Sequence, residues 1–243
     1  MLKKYSFDAD DFCIKHIGII MDGNGRWAQE KGKPRSFGHF EGAKKFREIV
    51  RYCNKIGVKY LTVYAFSTEN WKRPKSEVDF LINLFKNQLT RALRDFADEN
   101  IVVNFLGNMK KFPQKLIRLA DKVIEISKKN TGLKLNIALN YGGRSEILDA
   151  IKKVYIDLSQ KKIEICNLSE KTFSEYLYTK GQPNPDIIIR TGGEIRVSNF
   201  LLWQSAYSEY SFTSTLWPDF TKEEFENIIQ EFSKRKRNYG GIN

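Results

Sequence analysis

Cysteine, histidine and proline are scarce in this 243-residue chain, which has three, two and six of them. Cys13, Cys53 and Cys166 are far apart and form no C-x-x-C pair, so a disulfide framework is not expected. Reduced thiols in a cytoplasmic protein are the plain reading. With only His16 and His39 to join them, a cysteine–histidine zinc centre is not expected either. No apolar run approaches the ~20 residues that cross a bilayer. The opening MLKKYSFDADDF has basic residues with no apolar stretch behind them, unlike a secretory signal. No Gly/Ser-rich linker, low-complexity tract or internal repeat interrupts the chain. Residues 1–243 therefore read as one domain, with 1–12 as a flexible N-terminal segment.

Positive charge is in excess: the formal net charge is +12. Nucleic acid, an anionic membrane surface and anionic small substrates all suit such a balance. Much of the surplus is lysine pairs on expected helix faces (Lys44/Lys45, Lys128/Lys129, Lys152/Lys153, Lys161/Lys162), where a solvated surface is the simple account. A nucleic-acid reading needs aromatics interleaved with those cations, and the aromatics here sit mostly in apolar runs.

Apolar runs expected as strands lie at 15–21, 58–65, 101–106, 134–139, 185–190 and 212–216. Helical patterns lie near 38–56, 76–99, 113–129, 143–159, 169–178, 199–207 and 221–236. Strands that are apolar throughout and alternate with helices predict an α/β domain with a mainly parallel sheet of about six strands flanked by helices. In such folds ligands sit beyond the carboxyl ends of the strands. Asp22, 66–71, 140–144 and 190–198 all fall there.

HIGIIMDGNGRW, at 16–27, is a strand ending in an Asp and a glycine turn that opens a helix. Turn N–H groups favour an anion, Asp22 can place a hard cation against it, and Arg26 adds a charged hydrogen bond. GNGRWA also fits a dinucleotide-binding turn. However, Gly32, Pro34 and Gly38 interrupt the helix that motif requires, and the next strand ends VYAF without a ribose-binding acid. A P-loop pattern is absent. A second glycine turn, RTGGEIRVSNF at 190–200, carries Arg190, Arg196 and Ser198. Two such turns predict two phosphorylated substrates. Arg35 and His39 follow the first turn closely, and the polar FSTENWKRP at 66–74 follows a strand. Glu209 reads equally as a satisfied carboxylate or a metal ligand. Val78, Leu81, Leu84, Phe85, Leu89, Leu93 and Phe96 share one helix stripe, which is either core or the wall of a hydrophobic tunnel.

HIGIIMDGNGRWA, RSFGH, VYAFSTENWKRP, LNIALNYGGRSEI, DIIIRTGGEIRVSNFLLWQSAYSEY and LWPDF, in this order over roughly 13–241, resemble the cis-prenyltransferase family, in particular its bacterial undecaprenyl diphosphate synthase branch. The resemblance implies Mg²⁺-dependent elongation of farnesyl diphosphate by successive isopentenyl diphosphates to a long polyprenyl diphosphate, the cell-wall lipid carrier. Shorter- or longer-chain synthesis is the alternative within the family. It also implies a hydrophobic tunnel, a homodimer, and peripheral contact with the inner face of the membrane for product release.

By position, Asp22 is implied as catalytic and metal-binding, with Glu209 completing the Mg²⁺ shell. Gly23, Asn24, Gly25, Arg26, Arg35 and His39 would hold the allylic diphosphate. Trp27 and Phe66 would line the tunnel mouth. Asn70 would assist proton removal among Ser67, Thr68, Glu69, Trp71 and Arg73. Arg190, Arg196, Val197 and Ser198 would receive isopentenyl diphosphate. Two departures stand out: Ile195 where a basic side chain is common, and Asn238 where the family often carries an Arg that reaches the partner's site, with Arg237 beside it. Ala65, small and beside the site, would leave the tunnel entrance open, with Leu133 near its floor.

Overall fold

The computed structural model describes residues 8–12 and 14–235. Cys13, the Arg237–Asn238 segment and the final glycines lie outside them, as does the Phe96 side chain.

Six strands form one parallel sheet in the order β3-β4-β2-β1-β5-β6. They are β1 (His16–Ile20), β2 (Tyr60–Ser67), β3 (Val102–Leu106), β4 (Lys134–Tyr141), β5 (Ile187–Arg190) and β6 (Glu209–Phe212). Between them run α1 (Asn24–Glu30), α2 (Arg35–Lys55), α3 (Lys75–Asp98), α4 (Gln114–Ser127), α5 (Gly143–Ser159), α6 (Glu170–Ser174) and α7 (Lys222–Lys234). Every residue of β1 and β5 is buried, as parallel strands covered on both faces require. One face packs against α2, α3, α4 and α7 through residues such as Ile49, Leu89, Val123 and Ile229. On the other face, Ile20, Ala138 and Ile188 meet Tyr141, Phe200 and Leu201, while Ala150 and Val154 of α5 pack on Phe173 of α6. Of the N-terminal segment, Ala9–Phe12 form a 3-10 turn, and the Ala9 N–H donates to the Ile56 carbonyl.

Four expectations need correction. Gly38 does not break a helix but lies within α2, which begins at Arg35. A Cβ there would come within 1.8 Å of the Asn24 carbonyl oxygen, so glycine permits the close crossing of α1 and α2. The helix expected over 199–207 is a succession of turns, because Ser198, Asn199 and Leu201 adopt positive φ of 47°, 61° and 45°. Helix α6 is cut to five residues. The last strand begins at Glu209 and ends at Phe212 rather than spanning 212–216. After it, the Thr213 N–H donates to the Arg190 carbonyl, and the Thr213 and Thr215 carbonyls accept from Gly193 and Gly192. The chain leaves the sheet there to hold the second glycine turn.

Candidate functional site

Beyond the C-terminal ends of β1, β2 and β5 lies a cleft of about 510 Å³, lined among others by Asp22, Asn24, His39, Ser67, Glu69, Asn70, Arg73, Arg190, Arg196 and Ser198. Ten of the residues singled out from the sequence are thus brought together.

The first turn is tight because Gly23 has φ 105°, and the Asp22 Oδ1 accepts the Gly23 N–H at 2.7 Å. Arg26, one helical turn on, places Nη2 3.6 Å from the same oxygen. The Asp22 Oδ2 accepts Arg190 Nη2 at 2.8 Å. Arg190 ends β5 and is only 4% exposed. Its Nη1 donates to the Arg196 carbonyl at 2.5 Å and to Ser198 Oγ at 2.6 Å, while its Nε is buried without a partner. The two glycine turns are therefore one structure, tied by a guanidinium. Buried Thr191 ties them again: its Oγ1 accepts the Asp22 N–H and donates to the Asp22 carbonyl. Arg196 is largely exposed and pairs with Glu194 at 2.7 Å.

A capping box closes β2. The Asn70 Oδ1 accepts the Ser67 N–H at 3.0 Å, which fixes the amide so that its Nδ2 hydrogens remain to be donated. Burial pushes the Glu69 carboxyl up, but hydrogen bonds from its own backbone, Asn199, Ser67 and Thr68 outweigh this and leave it below its ordinary value. Behind Arg73 and His39, Glu77 in the first turn of α3 receives Arg35 Nε at 3.1 Å, Arg73 Nη1 at 2.9 Å and His39 Nε2 at 3.3 Å. Burial, reinforced by the charges on Arg73 and Arg35, holds His39 below its usual pKa despite Glu77.

Next to the cleft, between α2, α3 and the sheet, is an apolar cavity of about 100 Å³. Both spaces are bordered by Met21, Asn24, His39, Ala65 and Leu81, so they adjoin. Leu81, Leu84, Phe85 and Leu89 form its α3 wall, and the three leucines also belong, with Val78, to the main core cluster. Among the described residues the stripe is core packing throughout, and part of it also lines this cavity.

Several expected site residues lie elsewhere. Phe66 is 1% exposed and packs on Trp71, Phe85 and Phe112. The pairing of β2 with β4 slips between Tyr64 and Phe66, and this bulge leaves Ala65, not Phe66, at the cavity entrance. Trp27 stacks on Phe37 at 5.9 Å and lines neither space. Trp71 braces the site from behind, donating Nε1 to Asn140 Oδ1 at 2.7 Å. Thr68 faces a separate small pocket with Asn140 and Gly142, so the 140–144 segment supports the cleft without lining it. Val197 sits half exposed on the loop. Leu133 is buried in the core, and Phe46, Phe105 and Ile137 take the place expected of it.

Glu209 does not reach Asp22 within this chain. It pairs with Ile187 at the N-terminal end of β5, three residues and about 10 Å of strand before Arg190, and its Oε2 accepts Arg235 Nη1 at 2.8 Å. Among the described residues, no three His, Cys, Asp or Glu side chains converge on a point that could hold a metal.

The sequence reading missed Glu77, Thr191, Tyr64 and Asn199. Asn199 does the most: its carbonyl accepts the Gly143 N–H and its Oδ1 the Arg144 N–H, satisfying the open N-terminus of α5. Its Nδ2 donates to Glu69. Its place in S-N-F, just after the second turn, was the available signal.

Fold and cleft together define a class: an α/β transferase whose site joins a basic, turn-built cleft to an apolar chamber. Residues 20–240 match the family model described as "Putative undecaprenyl diphosphate synthase". An isoprenyl transferase of Clostridium tetani is 50% identical over 98% of this chain and 93% of its own length. One from Thermotoga maritima is 50% identical over 94% and 97%. Among solved structures, a lavandulyl diphosphate synthase of Lavandula x intermedia, in complex with dimethylallyl diphosphate, superposes with a TM-score of 0.90 at 31% identity, covering 96% of this chain and all of that one. A probable undecaprenyl diphosphate synthase of Campylobacter jejuni gives 0.78 at 34%, covering 94% and 99%. The chain belongs to the undecaprenyl diphosphate synthase-like prenyltransferase family.

Proposed function

We propose that this chain is a Mg²⁺-dependent cis-prenyltransferase that extends farnesyl diphosphate with successive isopentenyl diphosphates to a long polyprenyl diphosphate, of undecaprenyl type. The observation that carries the reading is the adjacency of the basic cleft and the apolar cavity, which share Met21, Asn24, His39, Ala65 and Leu81. An amphiphile with an anionic head and a growing apolar tail needs both at once. The bound dimethylallyl diphosphate of the lavender neighbour is an allylic diphosphate on the same fold.

Asp22 fits Mg²⁺ as a partly exposed carboxylate at the first turn. This ion is commonly held by one or two carboxylates together with substrate phosphates, so no protein-only cage is required. When bound, the metal would offset charge on the departing allylic diphosphate. Arg26, Arg35, Arg73 and His39 hold that diphosphate in this reading, and Arg190, Arg196 and Ser198 hold isopentenyl diphosphate. Asn70, a neutral amide and so a poor base, fixes a phosphate oxygen or a water rather than taking the proton itself. Ala65 leaves room for the tail to enter the cavity. Among the described residues no helix is long and apolar enough to cross a membrane. Delivery of the product to a bilayer would then come from peripheral contact, favoured by the +12 charge, and a homodimer belongs to the same reading.

The test is incubation with radiolabelled isopentenyl diphosphate, farnesyl diphosphate and Mg²⁺, followed by chain-length analysis. A ladder ending in a long polyprenyl product supports the proposal, and a lack of incorporation, or a single condensation only, refutes it.

A further inference from the structure

Glu77 gathers three basic side chains beside the cleft. It is 13% exposed and sits in the first turn of α3, just after Pro74. Arg35 forks onto it with Nε to Oε2 at 3.1 Å and Nη2 to Oε1 at 3.4 Å. Arg73 Nη1 reaches Oε1 at 2.9 Å. A carboxylate only accepts, so the proton on His39 must be on Nε2, donated to Oε1 at 3.3 Å. Arg35 and His39 come from α2, and Arg73 from the turn after β2. Arg35 also lies flat against the first glycine turn, where a Cβ on Gly25 would meet its Cζ at 2.5 Å. One anion thus pins three basic groups from two elements against the turn that follows Asp22.

Two guanidiniums around one carboxylate leave a surplus positive charge. The contacts occupy Nε and Nη2 of Arg35 and only Nη1 of Arg73. Arg35 Nη1 and the far edge of Arg73 are thereby fixed in place but not consumed. Arg73 and His39 line the cleft, with Arg35 behind them on the same carboxylate. Without Glu77, like charges at close range would drive Arg35 and Arg73 apart, and both side chains would regain rotamer freedom that binding must then remove.

We propose that Glu77 is a positioning residue: it holds Arg35, Arg73 and His39 in a preformed cradle for the diphosphate of the allylic substrate, and has no part in holding the second substrate. This rests on the function proposed above. It extends that function by naming the acid that shapes one of its two anion sites.

The experiment compares the wild type with Glu77→Gln, Arg35→Ala and the double variant, measuring KM for each substrate, kcat, the affinity for inorganic diphosphate by calorimetry, and the melting temperature. Glu77→Gln should raise the allylic KM about tenfold and weaken diphosphate binding in parallel, as loss of hydrogen bonds between charged groups does. The KM for isopentenyl diphosphate should move less than twofold on the same basis. In the Arg35→Ala background, Glu77→Gln should cost clearly less, because Glu77 acts partly through Arg35. Glu77→Asp, which retains the charge, should recover part of the loss. Equal weakening of both substrates, tighter diphosphate binding, or additive effects in the double variant would overturn the cradle. So would a drop in melting temperature with unchanged KM values, which marks a structural role only. A wild type that neither binds diphosphate nor condenses the substrates overturns the function reading and the cradle with it. An active wild type with an indifferent Glu77→Gln overturns the cradle alone.

Discussion

Replacing Asp22 with Ala should separate stability, binding and turnover in a way that follows from Arg190. The Arg190 guanidinium is 4% exposed and loses its 2.8 Å contact with Asp22 Oδ2 in the variant. At an effective dielectric of ~20 the attraction of such a pair is ~4 kcal/mol at ~4 Å. Breaking a fully buried pair costs ~3–5 kcal/mol, but the Asp22 side chain is 31% exposed, and Arg190 keeps the Arg196 carbonyl and Ser198. A loss of about 2–3 kcal/mol is therefore expected, and a chain of this size loses ~2–4 °C of Tm per kcal/mol. Inorganic diphosphate supplies the missing negative charge, so it should stabilise the variant at least as much as the wild type. Turnover should fall by ~10²–10³-fold or more, the usual effect of removing one group that stabilises developing charge. Thermal melts with and without diphosphate, beside the radiolabel assay, measure all three. A variant that melts like the wild type would show that Asp22 does not support Arg190. One that retains turnover to within about tenfold would remove Asp22 from the chemistry.

Three further outcomes can be measured. Arg196→Ala should raise the KM for isopentenyl diphosphate more than that for the allylic substrate, and because Arg196 is 62% exposed the effect should shrink as salt rises; equal effects on both substrates would refute the two-site division. Ala65→Leu should shorten the products with little effect on the first condensation, since Ala65 borders both cleft and cavity; unchanged product length would place the tail elsewhere. His16 is buried, and desolvation lowers its pKa to about 4 against the carbonyl of Pro183 and the charge of Asp186. Its neutral form, bonded to Pro183 and Thr62, therefore stabilises the fold fully above pH ~6.5, and this is lost as pH falls from ~6.5 toward 4. The total is about 3 kcal/mol at ~1.4 kcal/mol per pH unit, and denaturant titrations of wild type and His16→Gln should differ in slope over that window.

Strands and glycine turns were legible because each has a local physical cause. Continuous apolar runs such as HIGII and DIIIR have no stable place except a strand covered on both faces, and the turns need Gly23 and Gly192 at φ 105° and 88°. Beyond the strand ends, Asp22 and Arg190 could be placed near one another from topology alone, since Ile20 pairs with Arg190. What could not be read depends on non-local choices. Left-handed backbone at Ser198 and Leu201 has no signature in residue type, and Asn199 alone, a residue that tolerates this region, was too weak a sign to keep the loop from reading as a helix. Glu209 lies on the wrong side of the question because its position follows from strand register, fixed by the backbone bonds of Asp186 and Arg190. Glu77 looks in the sequence like an ordinary acid in a first helical turn. Its three partners become visible only when α2 and the turn after β2 are folded against it.

The ion pair between Asp22 and Arg190 also bears on how two anion sites can work together. Sequence spacing presents two separate glycine turns, each able to favour an anion. In the folded chain the same guanidinium holds the Asp22 carboxylate of one turn and the Ser198 hydroxyl of the other, and Thr191 joins their backbones. An anion drawn to Arg190 on the side of the second turn competes with Asp22 for Nη2. It thereby loosens the carboxylate that, in the proposed function, receives Mg²⁺ on the first. The reverse holds as well, because a cation on Asp22 frees Arg190 for phosphate. Coupling of this kind is reciprocal by necessity. It needs no conformational change beyond the exchange of one hydrogen bond, because the buried guanidinium has an unsatisfied Nε and two filled nitrogens to redistribute. With Asp22 just beyond the end of β1 and Arg190 ending the adjacent β5, occupancy at each turn would, in the proposed function, prepare the other.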